Sequence, residues 1–159
     1  MRLNNSWIKA GALVAALGVV LGAFAAHGLG GYLTTKYAGL SKEVLGEEVS
    51  AASKYLGDFK TAAHYQLIHA LAIVAVGMQM AHRPRKMLRI AAWCFLLGIL
   101  FFSGSLYLLV LTGVRWLGAI TPIGGVLMIG GWIALVEGAC PADNPQEEAG
   151  VEDDASTSA

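Results

Sequence analysis

Four apolar runs, each long enough to cross a lipid bilayer, limit what this chain can fold into more than any other feature. They cover residues 7–29, 61–81, 88–112 and 116–136. A span needs roughly 20 mainly apolar residues, because a helix rises ~1.5 Å per residue through a hydrocarbon core ~30 Å thick. In lipid a helix satisfies its own backbone hydrogen bonds, so each run reads as a helix rather than a buried strand. Composition agrees: 56% of the residues are hydrophobic and 14% charged, where soluble domains carry nearer a quarter charged residues. A water-soluble chain of 159 residues would need more charge than this to cover its surface. The expected fold is an all-α integral membrane bundle of four transmembrane helices, residues 1–137, followed by a disordered acidic tail, residues 138–159.

The connections differ in kind. Residues 30–60 form a long polar segment between helices one and two. Within it, Ser41-Lys42-Glu43-Val44 resembles a helix start, and Val44, Leu45, Val49, Ala52, Tyr55, Leu56 and Phe59 recur near helical spacing. An interfacial amphipathic helix is one reading of this stretch and a solvated loop the other; Gly46 and Gly57 weigh against the helix. The second connection, His82-Arg83-Pro84-Arg85-Lys86, is short and basic, and the third, Gly113-Val114-Arg115, is tight. The tail after Pro141 is rich in Pro, Asp, Glu and Ser and holds no Lys or Arg.

Basic residues set the expected orientation. Arg2, Lys9, Arg83, Arg85, Lys86 and Arg89 fall on one side, and Lys36, Lys42, Lys54, Lys60 and Arg115 on the other. The totals barely differ, but the short second loop is far denser in charge, so both termini are expected on the cytoplasmic side. The first run also looks like a cleavable leader around Ala23-Phe24-Ala25. Its length argues for a retained span, as does the repeat of small residues at Gly18, Gly22 and Ala26. Eleven basic and eleven acidic residues cancel, so nothing points to nucleic acid.

Polar groups at membrane depth are costly and therefore informative. His27, His64, Ser103, Ser105, Tyr107 and Thr121 fall in the outer half of the expected bundle, and His69 close to the middle of helix two. Tyr65 and His69 share a helix face, as do Ser103 and Tyr107, whereas His64 and His69 diverge by about 140° and cannot serve one centre. Three readings compete for the histidines: hydrogen bonding between helices, a ligand pocket, and metal or haem ligation. The last is weakest, because no Cys/His cluster has ligand spacing and no carboxylate lies deep in a span. Ser103-Gly104-Ser105 is not a nucleophile elbow. Gly124 and Gly131 align on one face of helix four, where small residues let backbones approach. Trp7, Trp116, Trp132 and Tyr32 read as interfacial anchors.

Ordered motifs also carry a family resemblance. Gly22-Ala23-Phe24-Ala25-Ala26-His27-Gly28-Leu29, Tyr65-Gln66-Leu67-Ile68-His69-Ala70-Leu71-Ala72, Phe102-Ser103-Gly104-Ser105-Leu106-Tyr107 and Thr121-Pro122-Ile123-Gly124-Gly125 are similar to signatures of the YgdD-like uncharacterised membrane proteins. That family is number 423 among the domains of unknown function, and transmembrane protein 256 looks like a distant relative. The resemblance implies a multi-pass protein of the bacterial inner (plasma) membrane with no established reaction or cofactor. It singles out His27, Tyr65, Gln66, His69, Ser103, Ser105, Tyr107 and Thr121, while His64 matches no signature position. The expectation for function is a non-enzymatic structural or assembly-type subunit that binds no metal or cofactor. Its partners are the lipid bilayer and either another membrane protein or a second copy. The alternative is a small-molecule binding or transport protein, with a polar pocket in the outer half of the bundle.

Overall fold

The computed structural model describes residues 6–139, so the acidic tail and Arg2 lie outside the described residues. Helix α1 spans Ser6–His27 and α2 Leu29–Lys36; strands β1 (Ser41–Val44) and β2 (Glu47–Ser50) follow, and then α3, Ala51–His82. Helix α4 covers Lys86–Ile99, a π-helical turn Leu100–Gly104, and α5 Ser105–Thr112; a 3-10 turn at Arg115–Ala119 leads into α6, Thr121–Ala139. Four helical stretches are long and apolar enough to cross a membrane: Ser6–His27, Ala51–His82, Lys86–Thr112 and Arg115–Ala139. The chain is an all-α membrane bundle with one small hairpin inserted.

Residues 30–60 depart most from expectation. Ser41–Val44 is a strand, not a helix start. It pairs antiparallel with β2 in the register Ser41↔Ser50, Lys42↔Val49, Glu43↔Glu48 and Val44↔Glu47. Leu45 and Gly46 close the hairpin with φ of 54° and 84°, the pair of left-handed residues that a tight two-residue turn requires. Gly46 thus ends one strand and starts the next. The helix begins at Ala51, ten residues after Ser41, where the Ser50 hydroxyl accepts the Ser53 N–H at 3.2 Å and caps α3. Tyr55, Leu56 and Phe59 belong to α3 itself rather than to a separate surface helix. At 32 residues α3 is ~48 Å long, well beyond a ~30 Å core, so its first turns stand outside the hydrocarbon beside the hairpin.

The spans pack in chain order: α1 on α3, α3 on α4 and α5, and α4 on α6. Glycine sets two of these contacts. A Cβ at Gly11 would come 2.8 Å from the Ala70 carbonyl oxygen, and one at Gly77 2.9 Å from the Ile8 nitrogen. On the other pair, a Cβ at Gly124 would lie 2.3 Å from the Phe102 nitrogen and one at Gly131 2.6 Å from the Phe95 ring. The expected alignment of Gly124 and Gly131 is therefore the α4–α6 contact. The expected face at Gly18, Gly22 and Ala26 is not the α1–α3 contact. Gly22 faces open space and Ala26 is exposed; the buried positions are Gly11, Gly18 and Ala25, spaced by sevens. A seven-residue interval keeps a seam straight along a neighbouring helix where repeated steps of four would drift around it.

Away from these seams the surface is apolar, with Leu13 71% and Val126 69% exposed, as a surface facing lipid should be. At the hairpin end, α2 buries Leu29 and Leu33 and reaches the end of α5. The Tyr37 hydroxyl donates to the Val110 carbonyl at 3.0 Å and Lys36 Nζ to that of Leu111, occupying carbonyls that the end of a helix leaves free. Burial pushes the Tyr37 phenol above its ordinary pKa, against the opposing pull of Lys36.

Gly124→Ala should lower stability by about 1–3 kcal/mol, because the backbone of Phe102 cannot move aside. Gly130→Ala meets nothing within 4 Å and should be neutral or stabilising by up to ~1 kcal/mol. Unfolding of both variants in mixed micelles titrated with sodium dodecyl sulfate checks the contrast.

Candidate functional site

Most of the polar residues named from the sequence meet along the inner face of α3. Gln66 donates from Nε2 to the Val14 carbonyl of α1 at 2.8 Å, and its Oε1 accepts the Tyr107 hydroxyl of α5 at 2.9 Å. Helical side chains lean toward the N-terminus of their own helix. Gln66 and Tyr107 stand on antiparallel helices, so they lean toward each other and meet. The Tyr107 ring also packs on Phe59, with centroids 4.6 Å apart.

The π turn and the first residue of α5 supply the next two contacts. Ser103, fully buried, donates to the Ala62 carbonyl of α3 at 2.8 Å. Ser105 bonds Thr121 of α6 at 2.9 Å and also donates to the Phe102 carbonyl at 3.0 Å. Two serines only two positions apart thus reach opposite neighbours, one on each flank of the third span. A π turn carries one residue more than the α-helical repeat and rephases the helix beyond it.

His69 completes the seam. Its Nδ1 lies 2.8 Å from the Tyr65 carbonyl, and the Trp132 indole N–H of α6 donates to its Nε2 at 3.2 Å. A carbonyl only accepts and an indole N–H only donates, so these partners fix a neutral ring with its proton on Nδ1. The Tyr65 ring stacks on His69 at 5.9 Å and on Phe102 at 4.7 Å. Trp132 is therefore part of the seam rather than an interfacial anchor. Trp7, at the start of α1, stands edge to face with Trp93 at 5.2 Å.

Two of the named residues behave differently. His27 ends α1 exposed and outside this seam. Tyr65 contributes its ring and its carbonyl, while the side chain stays 40% exposed. Among the described residues, every buried side-chain nitrogen or oxygen has a hydrogen-bond partner, and no three His, Cys, Asp or Glu side chains converge as a metal site would require. Sequence reasoning missed Trp132 as a member. The available signal was its indole N–H, which at membrane depth must find an acceptor.

Four apolar spans, the first two joined through α2 and the hairpin and the others by short connections, with a polar seam inside, define a small helical membrane protein. A family model described as "Protein of unknown function (DUF423)" matches residues 21–125, and the chain belongs to that family. It is 39% identical over 130 residues to a UPF0382 membrane protein of Staphylococcus haemolyticus, covering 82% of this chain and 91% of the relative. The UPF0382 membrane protein YwdK of Bacillus subtilis is 38% identical over 132 residues, covering 82% and 92%. That of Haemophilus influenzae is 37% identical over 136 residues, covering 86% and 94%. No solved structure matches the chain.

Gln66→Leu removes two interhelical hydrogen bonds and Tyr107→Phe one. Such bonds in membranes average about 0.6 kcal/mol and reach ~1.7, so Gln66→Leu should destabilise more than Tyr107→Phe. Because Tyr107 bonds Gln66 directly, a double-mutant cycle followed by reversible unfolding in bicelles should give a total smaller than the sum.

Proposed function

We propose that this protein is a non-enzymatic structural or assembly-type component of the bacterial inner membrane, with both termini on the cytoplasmic side. Its polar seam serves to hold the helices in one arrangement that a membrane partner, or a second copy, recognises. The observation that carries this reading is the saturation of the seam. His69 uses both ring nitrogens, Gln66 uses its carbonyl and its amide, and Ser103 and Ser105 are each bonded to a neighbour. A catalytic or transport site needs donors and acceptors to spare for its substrate, and these are already engaged within the bundle. The small tight glycine contacts favour rigidity in the same way.

Cross-linking in native membranes tests the reading. Wild-type protein should give one adduct of defined mass, and His69→Gln should lower both the adduct yield and the unfolding temperature together. A His69 variant that keeps its stability and its adduct but loses binding of a small solute would overturn the proposal. Labelling of single engineered cysteines checks the orientation. One placed at Leu45 should react with an impermeant maleimide from the periplasmic side, and one at Pro84 only after the membrane is opened.

A further inference from the structure

Spans two and four both pack on span three, and between α3 and α6 they leave a trench open to lipid. It consists of two hollows of about 450 Å³ each, with the Phe102 ring at the edge of both. The hollow at the hairpin end is bordered by Lys42, Lys54, Asp58 and Thr121, with Leu106 and Leu109 deeper in. The inner hollow is lined by Ile68, Met128, Ile129 and Trp132 together with His64, Tyr65 and His69. Lysine and aspartate side chains line only the hairpin end of the trench.

Length and charge say what fits. Thr121 and Trp132 are eleven residues apart along α6, so the trench is ~16 Å long, close to half of a ~30 Å hydrocarbon core. That is the depth of one leaflet. At the charged end Lys54 pairs with Asp58 at 2.5 Å, while Lys42 is held over the Tyr55 ring, 4.1 Å from its centroid. Among the residues lining this end, two ammonium groups stand against one carboxylate, while the hairpin's Glu43, Glu47 and Glu48 lie outside the lining. We infer that the trench binds one anionic glycerophospholipid, its phosphodiester at Lys42 and Lys54 and an acyl chain running past Phe102 to Trp132. A lysine is a suitable point-charge partner for a phosphate. Gly125, in the lining of the inner hollow beside Phe102, keeps the floor low: a Cβ there would touch nothing nearer than the Phe102 ring at 3.9 Å.

Trp132 reports on the site directly. The full chain is reconstituted in phosphatidylcholine vesicles containing a minor fraction of phosphatidylglycerol, with one or the other lipid brominated at mid-chain. The Trp132 fluorescence is taken as the difference between wild type and Trp132→Phe. Brominated phosphatidylglycerol should quench it well beyond its share of the bilayer, and added salt should reduce that excess. Lys42→Gln should weaken the preference roughly fivefold. Gly125→Leu, a substitution the bundle has room for, should abolish the excess with both lysines intact. Quenching in proportion to mole fraction for both lipids would overturn the inference, as ordinary boundary lipid behaves that way. Absence of quenching by either lipid would also overturn it, since a second protein chain would then cover the trench.

Discussion

Hydrocarbon offers no hydrogen bonds, and this governs where nearly every polar side chain in the bundle sits. A glutamine, two serines, a tyrosine and a histidine placed within four spans would each be costly if left alone. Here each bonds a backbone carbonyl or another side chain on a neighbouring helix or turn, His69 through the Trp132 indole. The bonds are individually weak, but they are directional in a way that apolar packing is not. They select one register for α3 against the third span and one rotation of α6 against both. The glycine seams fix distance, and the hydrogen bonds fix phase.

Much of this was legible in the sequence because the bilayer imposes a length. Runs of about twenty apolar residues located all four spans; depth along them picked out His69, Ser103, Ser105, Tyr107 and Thr121, and the family resemblance added Gln66, all of which bond within or between neighbouring helices. His27 was selected on the same grounds but faces outward, because position along a helix says nothing about direction around it. The hairpin was hidden for a different reason. Val44, Leu45 and Val49 fit a helical repeat as well as a strand pair, and only the paired left-handed residues Leu45 and Gly46 decide between them.

The π turn was not legible at all. Nothing in Leu100–Gly104 marks it locally; it exists because Gly124 brings the backbone of α6 against Phe102 while Ser103 and Ser105 are satisfied on opposite sides. The trench depends on it too, since the same turn presents the Phe102 ring between α3 and α6. Lys42, Lys54 and Asp58 are far apart from Trp132 in the chain. Only the length of α3 beyond the membrane brings their end of the trench to the interface.

The glycine contacts divide the molecule into two plates. Helices α1 and α3 are zipped through Gly11, Gly18 and Gly77, and α4 and α6 through Gly98, Gly124, Gly131 and Gly138, with almost no slack inside either pair. Close-packed surfaces of this kind shift as blocks rather than deform. The serine and tyrosine bonds between α3 and the third span join the two plates and hold the furrow beside them at one width.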